Sequence, residues 1–146
     1  MKSTYGYAFI LSSGMFSWNS KKQKVVAQSS AEAEYITVNG ATNQALWLRK
    51  ILRDLEQNDI EANVIKVDNK SAIFMAKYPV QHGRSKHINV KFHTIRQAEK
   101  DDEVKLVHCS SDQQIADIMT KALPKGKLEV LRAKLGVSKK NLKEEC

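Results

Sequence analysis

Three carboxylates sit where an acid needs an explanation. Glu34 lies in SSAEAEY, Asp68 closes the run VIKVD, and Asp117 lies in QQIADIMTK. Glu34 falls on the apolar stripe of a predicted helix, one turn before Val38, where a carboxylate is costly unless something pairs with it. The simpler reading, an acid interacting with the helix dipole, suits Glu32 better. Asp68 follows directly on a compact apolar run. In open sheets, ligands gather at the carboxyl ends of strands, but an Asp there can equally cap the next helix. Asp117, beside Ile115, Ala116, Ile118 and Met119, reads on its own as an ordinary exposed helical acid. As a trio they point to a hard cation, because Mg²⁺ takes oxygen ligands from a few carboxylates, water and phosphate. Two such ions about 4 Å apart can stabilise both the attacking water and the leaving oxygen of a phosphodiester. Residues 1–31 contain no Asp or Glu.

The elements that must position these groups follow from turn chemistry and periodicity. Tyr5–Leu11 and Met15–Trp18 read as a hairpin across Ser12-Ser13-Gly14. Asn19–Gln23 reads as a polar turn, and Lys24–Gln28 as a third short strand. Ser29-Ser30-Ala31-Glu32 matches a capping box. It opens a long helix to about Glu56, with Tyr35, Val38, Ala41, Ala45, Leu48, Leu52 and Leu55 at three- and four-residue steps. Gln57-Asn58-Asp59 ends that helix, and Asn63–Val67 is the next strand. Asp68-Asn69 caps a short helix over Ser71–Lys77, stopped before Pro79. Gln81–Lys86 reads as a loop. Ile88–Lys100 reads as a helix with Ile88, Phe92 and Ile95 inward, and Glu103–Val107 as a strand. Ser111-Asp112-Gln113-Gln114 suggests a second capping box for a helix to about Leu123. Pro124 breaks it, and a last helix carries Leu128, Leu131 and Leu135 before Gly136. The order βββαβααβαα predicts an α/β fold, a mixed sheet covered by helices.

Composition narrows the class. The chain has 146 residues, 42% hydrophobic and 27% charged, which suits one soluble domain with a real core. No apolar run is long enough to span a bilayer. Cys109 and Cys146 form no CxxC spacing, so free thiols in a reducing compartment, cytosol or nucleus, are expected. The net charge is +8 and uneven. Residues 1–31 carry Lys2, Lys21, Lys22 and Lys24 without an acid. Arg84, Lys86, Lys91, Arg96 and Lys100 cluster against Glu99. Basic residues also dominate 121–146. Such a surface favours a polyanion, most simply nucleic acid.

The segments KSTYGYAF, FSWNSKKQKVVAQSSAEAEYITV, ALWLRKIL, VDNKSAI, KYPVQHGRSKHINVKFHTIR, DQQIADIMTKALP and LEVLRAKLGV run in that order over residues 2–137. They resemble the ribonuclease H domain at the C-terminal end of copia-type retrotransposon Pol polyproteins. The resemblance implies a ribonuclease H-like domain over residues 1–137, a polar tail over 138–146, and normal fusion to reverse transcriptase. It implies cleavage of the RNA strand of an RNA–DNA hybrid with two Mg²⁺ (or Mn²⁺) ions held by four carboxylates. Matched motif by motif, Glu34, Asp68 and Asp117 are three of them. Ser29 and Ser30 then fall in a turn that meets the hybrid's minor groove and can sense 2′-hydroxyls. Asn69 and Lys70 border that groove, and Arg84, Lys86 and Lys91 belong to the basic nucleic-acid face. The family's first ligand is an Asp on a central first strand ahead of the KST-x-GY motif, where this sequence has Met1. The expectation is therefore a domain short of one ligand and one central strand, with two unpaired strand edges, impaired in cleavage and prone to aggregate alone. The alternatives are a catalytically inactive module that still holds nucleic acid, and a non-functional relic of such an element.

His82, His87 and His93 are separated by four and five intervening residues. A zinc site would need another soft ligand, for which Cys109 is the one candidate; a role beside the hybrid or in packing is the expectation. His108 receives no assignment. Trp18 and Trp47 are expected in the core.

Overall fold

A computed structural model describes residues 4–11, 14–23, 29–56, 61–78 and 86–137, with the backbone alone for 11 and 86–92. The chain is α/β, as expected. Its strands are β1 (Thr4–Leu11), β2 (Gly14–Lys22), β3 (Asn63–Val67) and β4 (Val104–His108). Its helices are α1 (Ser30–Asp54), α2 (Lys70–Lys77), α3 (Lys86–Lys100) and α4 (Lys125–Lys134). Two short 3₁₀ turns, Ser111–Gln113 and Ile115–Met119, stand between β4 and α4. Among the described residues the strands form two two-stranded sheets, β1–β2 antiparallel and β3–β4 parallel. The chain divides into two compact units. One runs from residue 24 to 114 with residues 1–3; the other joins 4–23 to 115–146. Among the described residues no helix is long and apolar enough to cross a membrane.

The first unit is a parallel strand pair joined through α2 and α3, the long crossover that parallel strands require. Its core comes from α1 (Tyr35, Val38, Ala41, Ala45), α2 (Ala72, Ala76), α3 (Ile95, Ala98) and the strands (Val67, Val104, Leu106). The small residues of α1 and α2 let the helices approach closely. Arg49 is buried and ties α1 to the sheet. Its Nη1 donates to the Glu61 carbonyl at 2.6 Å and to Asn63 Oδ1 at 2.9 Å, and its Nε lies 3.9 Å from Glu103 Oε2. Both long helices of this unit end at left-handed residues, Glu56 (φ 64°) beyond α1 and Asp102 (φ 53°) beyond α3.

The second unit is the β1–β2 hairpin with the second 3₁₀ turn and α4. Ser20 Oγ donates to the Met119 carbonyl at 2.7 Å, and the Met15 N–H donates to the Leu135 carbonyl at 2.9 Å. Leu131 and Leu135 are its buried leucines. Gly136 (φ 76°) ends α4, and the Val137 N–H returns to the Arg132 carbonyl.

Several expectations change. The polar stretch Asn19–Lys22 is strand rather than turn, paired in register from Tyr7↔Asn19 to Thr4↔Lys22. Its polar side chains find partners along the ladder: Asn19 Nδ2 donates to Tyr7 Oη at 3.3 Å, and Ser20 reaches Met119. Trp18 and Trp47 are surface residues, 60% and 56% exposed. Trp18 alternates with exposed Phe16 and Ser20 on β2, and Trp47 points away from the Ala41–Ala45–Arg49 stripe of α1. Leu55 and Leu128 are also exposed, one beyond the end of α1 and one a turn ahead of the buried leucines of α4. The helix expected over 111–123 is two 3₁₀ turns. Ser110 precedes the first without a side-chain capping bond, and Gln114 donates instead to the Lys66 carbonyl at 3.0 Å. The expected third strand (24–28), the Gln57–Asp59 stop, residues 81–85 of the expected Gln81–Lys86 loop and the tail lie outside the described residues, as do any side-chain contacts of Ile88 and Phe92, while Lys86, expected in that loop, is the first residue of α3.

Candidate functional site

Ser29 starts α1. Its extended backbone and its hydroxyl, which accepts the Glu32 N–H at 3.1 Å, satisfy an N–H that the first turn otherwise leaves without a partner. Glu34 follows one turn later and is half-buried, directly before buried Tyr35. Burial pushes the Tyr35 phenol well above its ordinary range, because the ionised ring would lose its hydration.

Asp68 stands immediately beyond β3, and Asn69 rather than Asp68 caps α2: Asn69 Oδ1 accepts the Ala72 N–H at 3.1 Å. The capping explanation for Asp68 therefore passes to its neighbour. Asp68 is half-buried at the carboxyl end of the parallel pair. The ladder continues past it on the β4 side, where the Cys109 N–H donates to the Val67 carbonyl at 2.9 Å. His108, left unassigned by the sequence, lies across from Val67 in the register. Strand order and register were the missing signal, since the two residues are 41 apart in sequence. Glu34 and Asp68 share the first unit, in which α1 packs against both β3 and α2, the elements that flank Asp68.

Asp117 belongs to the second unit and is 6% exposed, not an exposed helical acid. It opens no α-helix. Its carbonyl accepts the N–H groups of Thr120 and Lys121 at 3.1 Å each, and its Oδ2 accepts Lys121 Nζ at 3.2 Å.

Hard carboxylate oxygens suit Mg²⁺ or Mn²⁺ chemically, and the Asp117 carboxylate already takes a cation, the Lys121 ammonium. Among the described residues, however, no group of three or more His, Cys, Asp or Glu stands ready to hold a metal ion. Ser30 and Lys70 are exposed in the first turns of α1 and α2. Lys86 and Lys91 lie in α3, whose exposed residues include His93, Arg96 and Lys100. Arg84 and His82 lie outside the described residues, and His87 is placed by its backbone alone.

The comparisons with known proteins bear on this arrangement. The chain is 38% identical over 136 residues to the retrovirus-related Pol polyprotein from transposon TNT 1-94 of Nicotiana tabacum, covering 93% of this chain and 10% of that protein. It is 36% identical over 137 residues to the Pol polyprotein from transposon RE1 of Arabidopsis thaliana, covering 94% of this chain and 9% of that protein. Its homologues are copia-type retrotransposon Pol polyproteins. The chain spans about a tenth of the length of these relatives. A shorter stretch of 47 residues, 32% of the chain, is 53% identical to a third of a protein named secreted RxLR effector protein 161 of Plasmopara viticola. No family model matches the chain. No solved structure matches it.

Proposed function

We propose that the chain is the ribonuclease H segment of a copia-type Pol polyprotein and acts on the RNA strand of RNA–DNA hybrids. What carries this reading is the similarity to Pol polyproteins over 93% of the chain, too long a stretch to leave out Glu34, Asp68 or Asp117. In this reading Glu34 and Asp68 of the first unit, and Asp117 of the second, are each candidate oxygen donors to a divalent cation, Mg²⁺ or Mn²⁺. When bound, such an ion activates water and neutralises charge on the phosphodiester. The chain's own part is to present the strand. The capped starts of α1 and α2 carry positive dipole ends suited to phosphate, with Ser30 and Lys70 exposed beside them and basic residues on α3. A reducing setting, cytosol or nucleus, goes with this reading.

The test is cleavage of an end-labelled RNA–DNA hybrid by the full chain in Mn²⁺ and in Mg²⁺. Cleavage confined to the RNA strand and lost in Asp68→Asn is the expected result. Cleavage that survives Asp68→Asn, or that consumes duplex DNA equally, would sink the proposal.

A second reading is favoured by one observation: no trio of His, Cys, Asp or Glu gathers among the described residues. In that reading the chain holds hybrid without cutting it. Its signature is hybrid affinity equal in wild type and Asp68→Asn, without cleavage, falling steeply as salt rises.

A further inference from the structure

The short helix α2 inverts the ordinary amphipathic pattern, in which large apolar groups turn to the core. Its buried positions are Ala72 and Ala76, while Phe74 and the closing Tyr78 are 58% and 59% exposed. Lys70, Ser71 and Lys77 are exposed as well. Lys70, Phe74, Lys77 and Tyr78 follow at steps of four, three and one residues, which places them on one helix face. The two rings touch, with centroids 4.9 Å apart and planes tilted by 40°. Each restrains the other, so a ligand that uses both has less side-chain freedom to freeze. The charge around them has one sign: residues 69–98 hold six Lys or Arg and no Asp or Glu. Helix stability does not account for this arrangement. Lys70 stands in the first turn, where the helix dipole disfavours a cation, and that turn has no acid.

We propose that this face binds an unpaired polynucleotide strand, with a base stacked on each ring and the neighbouring phosphates against Lys70 and Lys77. Every base has a π-face, so exposed rings take bases without regard to sequence, while lysines beside them follow the backbone. The strand must be unpaired, because bases stacked inside a duplex cannot reach a ring. The choice of a polynucleotide over other polyanions rests on the function proposed above. An apolar protein segment fits the face less well, since it would desolvate two ammonium groups without pairing them.

The experiment is fluorescence anisotropy of an end-labelled oligo(dT) of about 12 nucleotides, within the usual single-strand site sizes, titrated with the full chain. Folding of each variant is checked by melting. Phe74→Ala and Tyr78→Ala should each weaken binding about fivefold or more. Phe74→Tyr and Tyr78→Phe keep a ring and should match wild type, whereas Phe74→Leu keeps apolar bulk without a ring and should behave like Phe74→Ala. Lys70→Gln and Lys77→Gln should each reduce the slope of log affinity against log salt by about 0.7. Lys105→Gln, at an exposed lysine of β4, should leave that slope unchanged. Binding that ignores both rings in folded variants overturns the proposal, as does an equal effect of Lys105→Gln. Rings that govern self-association in sedimentation, and not oligonucleotide binding, would make the face a protein contact and overturn it too. If hybrid cleavage still depends on Asp68 in those cases, this proposal alone falls. If the chain binds no polynucleotide at all, the proposed function falls with it.

Discussion

Replacing Gly6 by Ala tests how the second unit is built. A Cβ on Gly6 would lie 3.0 Å from Thr120 Cγ2, 3.1 Å from the Asn19 carbonyl oxygen and 3.2 Å from Met119 Cβ. All three distances are shorter than ordinary van der Waals contact, and one neighbour is backbone that cannot rotate aside. The hairpin would have to shift by a few tenths of an ångström from the turn that carries Asp117, straining the Ser20–Met119 hydrogen bond. Overpacking of this kind costs about 1–3 kcal/mol. Lower entropy of the unfolded chain returns roughly 0.4–1 kcal/mol, so the net loss is about 1–2 kcal/mol. Thermal melting followed by circular dichroism should show a drop of about 2–8 °C for a chain of this size. Gly126→Ala is the matched control. Nothing lies within 4 Å of a Cβ there, and Gly126 is inside α4, so the same substitution should stabilise by about 0.5–1 kcal/mol. A Gly6→Ala chain that melts at or above wild type would refute the packing of the 3₁₀ turn on β1.

Burial raises the Tyr35 phenol above its ordinary value of 10.0, so the folded state resists losing that proton. The stability tied to the neutral phenol is full below about pH 10 and falls as pH rises beyond it. The difference in stability between wild type and Tyr35→Phe should therefore be flat up to about pH 10 and move against wild type above it; a difference that stays flat to pH 11.5 would contradict the burial. Asn69→Ala removes the acceptor of the Ala72 N–H and should cost about 1 kcal/mol by denaturant midpoint. An unchanged midpoint would show that Asp68 takes over the cap.

Much of the scaffold was legible because local chemistry agrees with it. The Ser29 cap, the β3 limits and the Gly136 stop each follow from a few neighbouring residues, and the structure keeps all three. The errors arose where a distant partner overrides a local signal. Asn19–Lys22 looks like a turn in isolation, but the opposite strand supplies its ladder. Ser111–Gln114 has capping-box spacing, but Gln114 is drawn to the Lys66 carbonyl. Asp117 looks like a surface acid, and its burial depends on residues about a hundred positions earlier. At the candidate site, Asp68 could be placed at a strand end from sequence alone. Its proximity in register to His108 could not, because parallel pairing across a long crossover leaves no short-range mark.

The discontinuous make-up of the second unit also bears on how the chain acquires its structure. Residues 29–114 meet partners mostly within their own stretch and can organise while later residues are still being synthesised. The N-terminal hairpin cannot: Ser20 waits for Met119, 99 residues on, and Met15 waits for Leu135. Until translation passes Gly136, the exposed face that carries Phe16 and Trp18 is open to other chains. Closing a loop of that length adds little to the equilibrium cost but delays the first productive contact. A segment translated ahead of residues 29–114 is thus completed after them, and in that interval its apolar face lacks its packing partners.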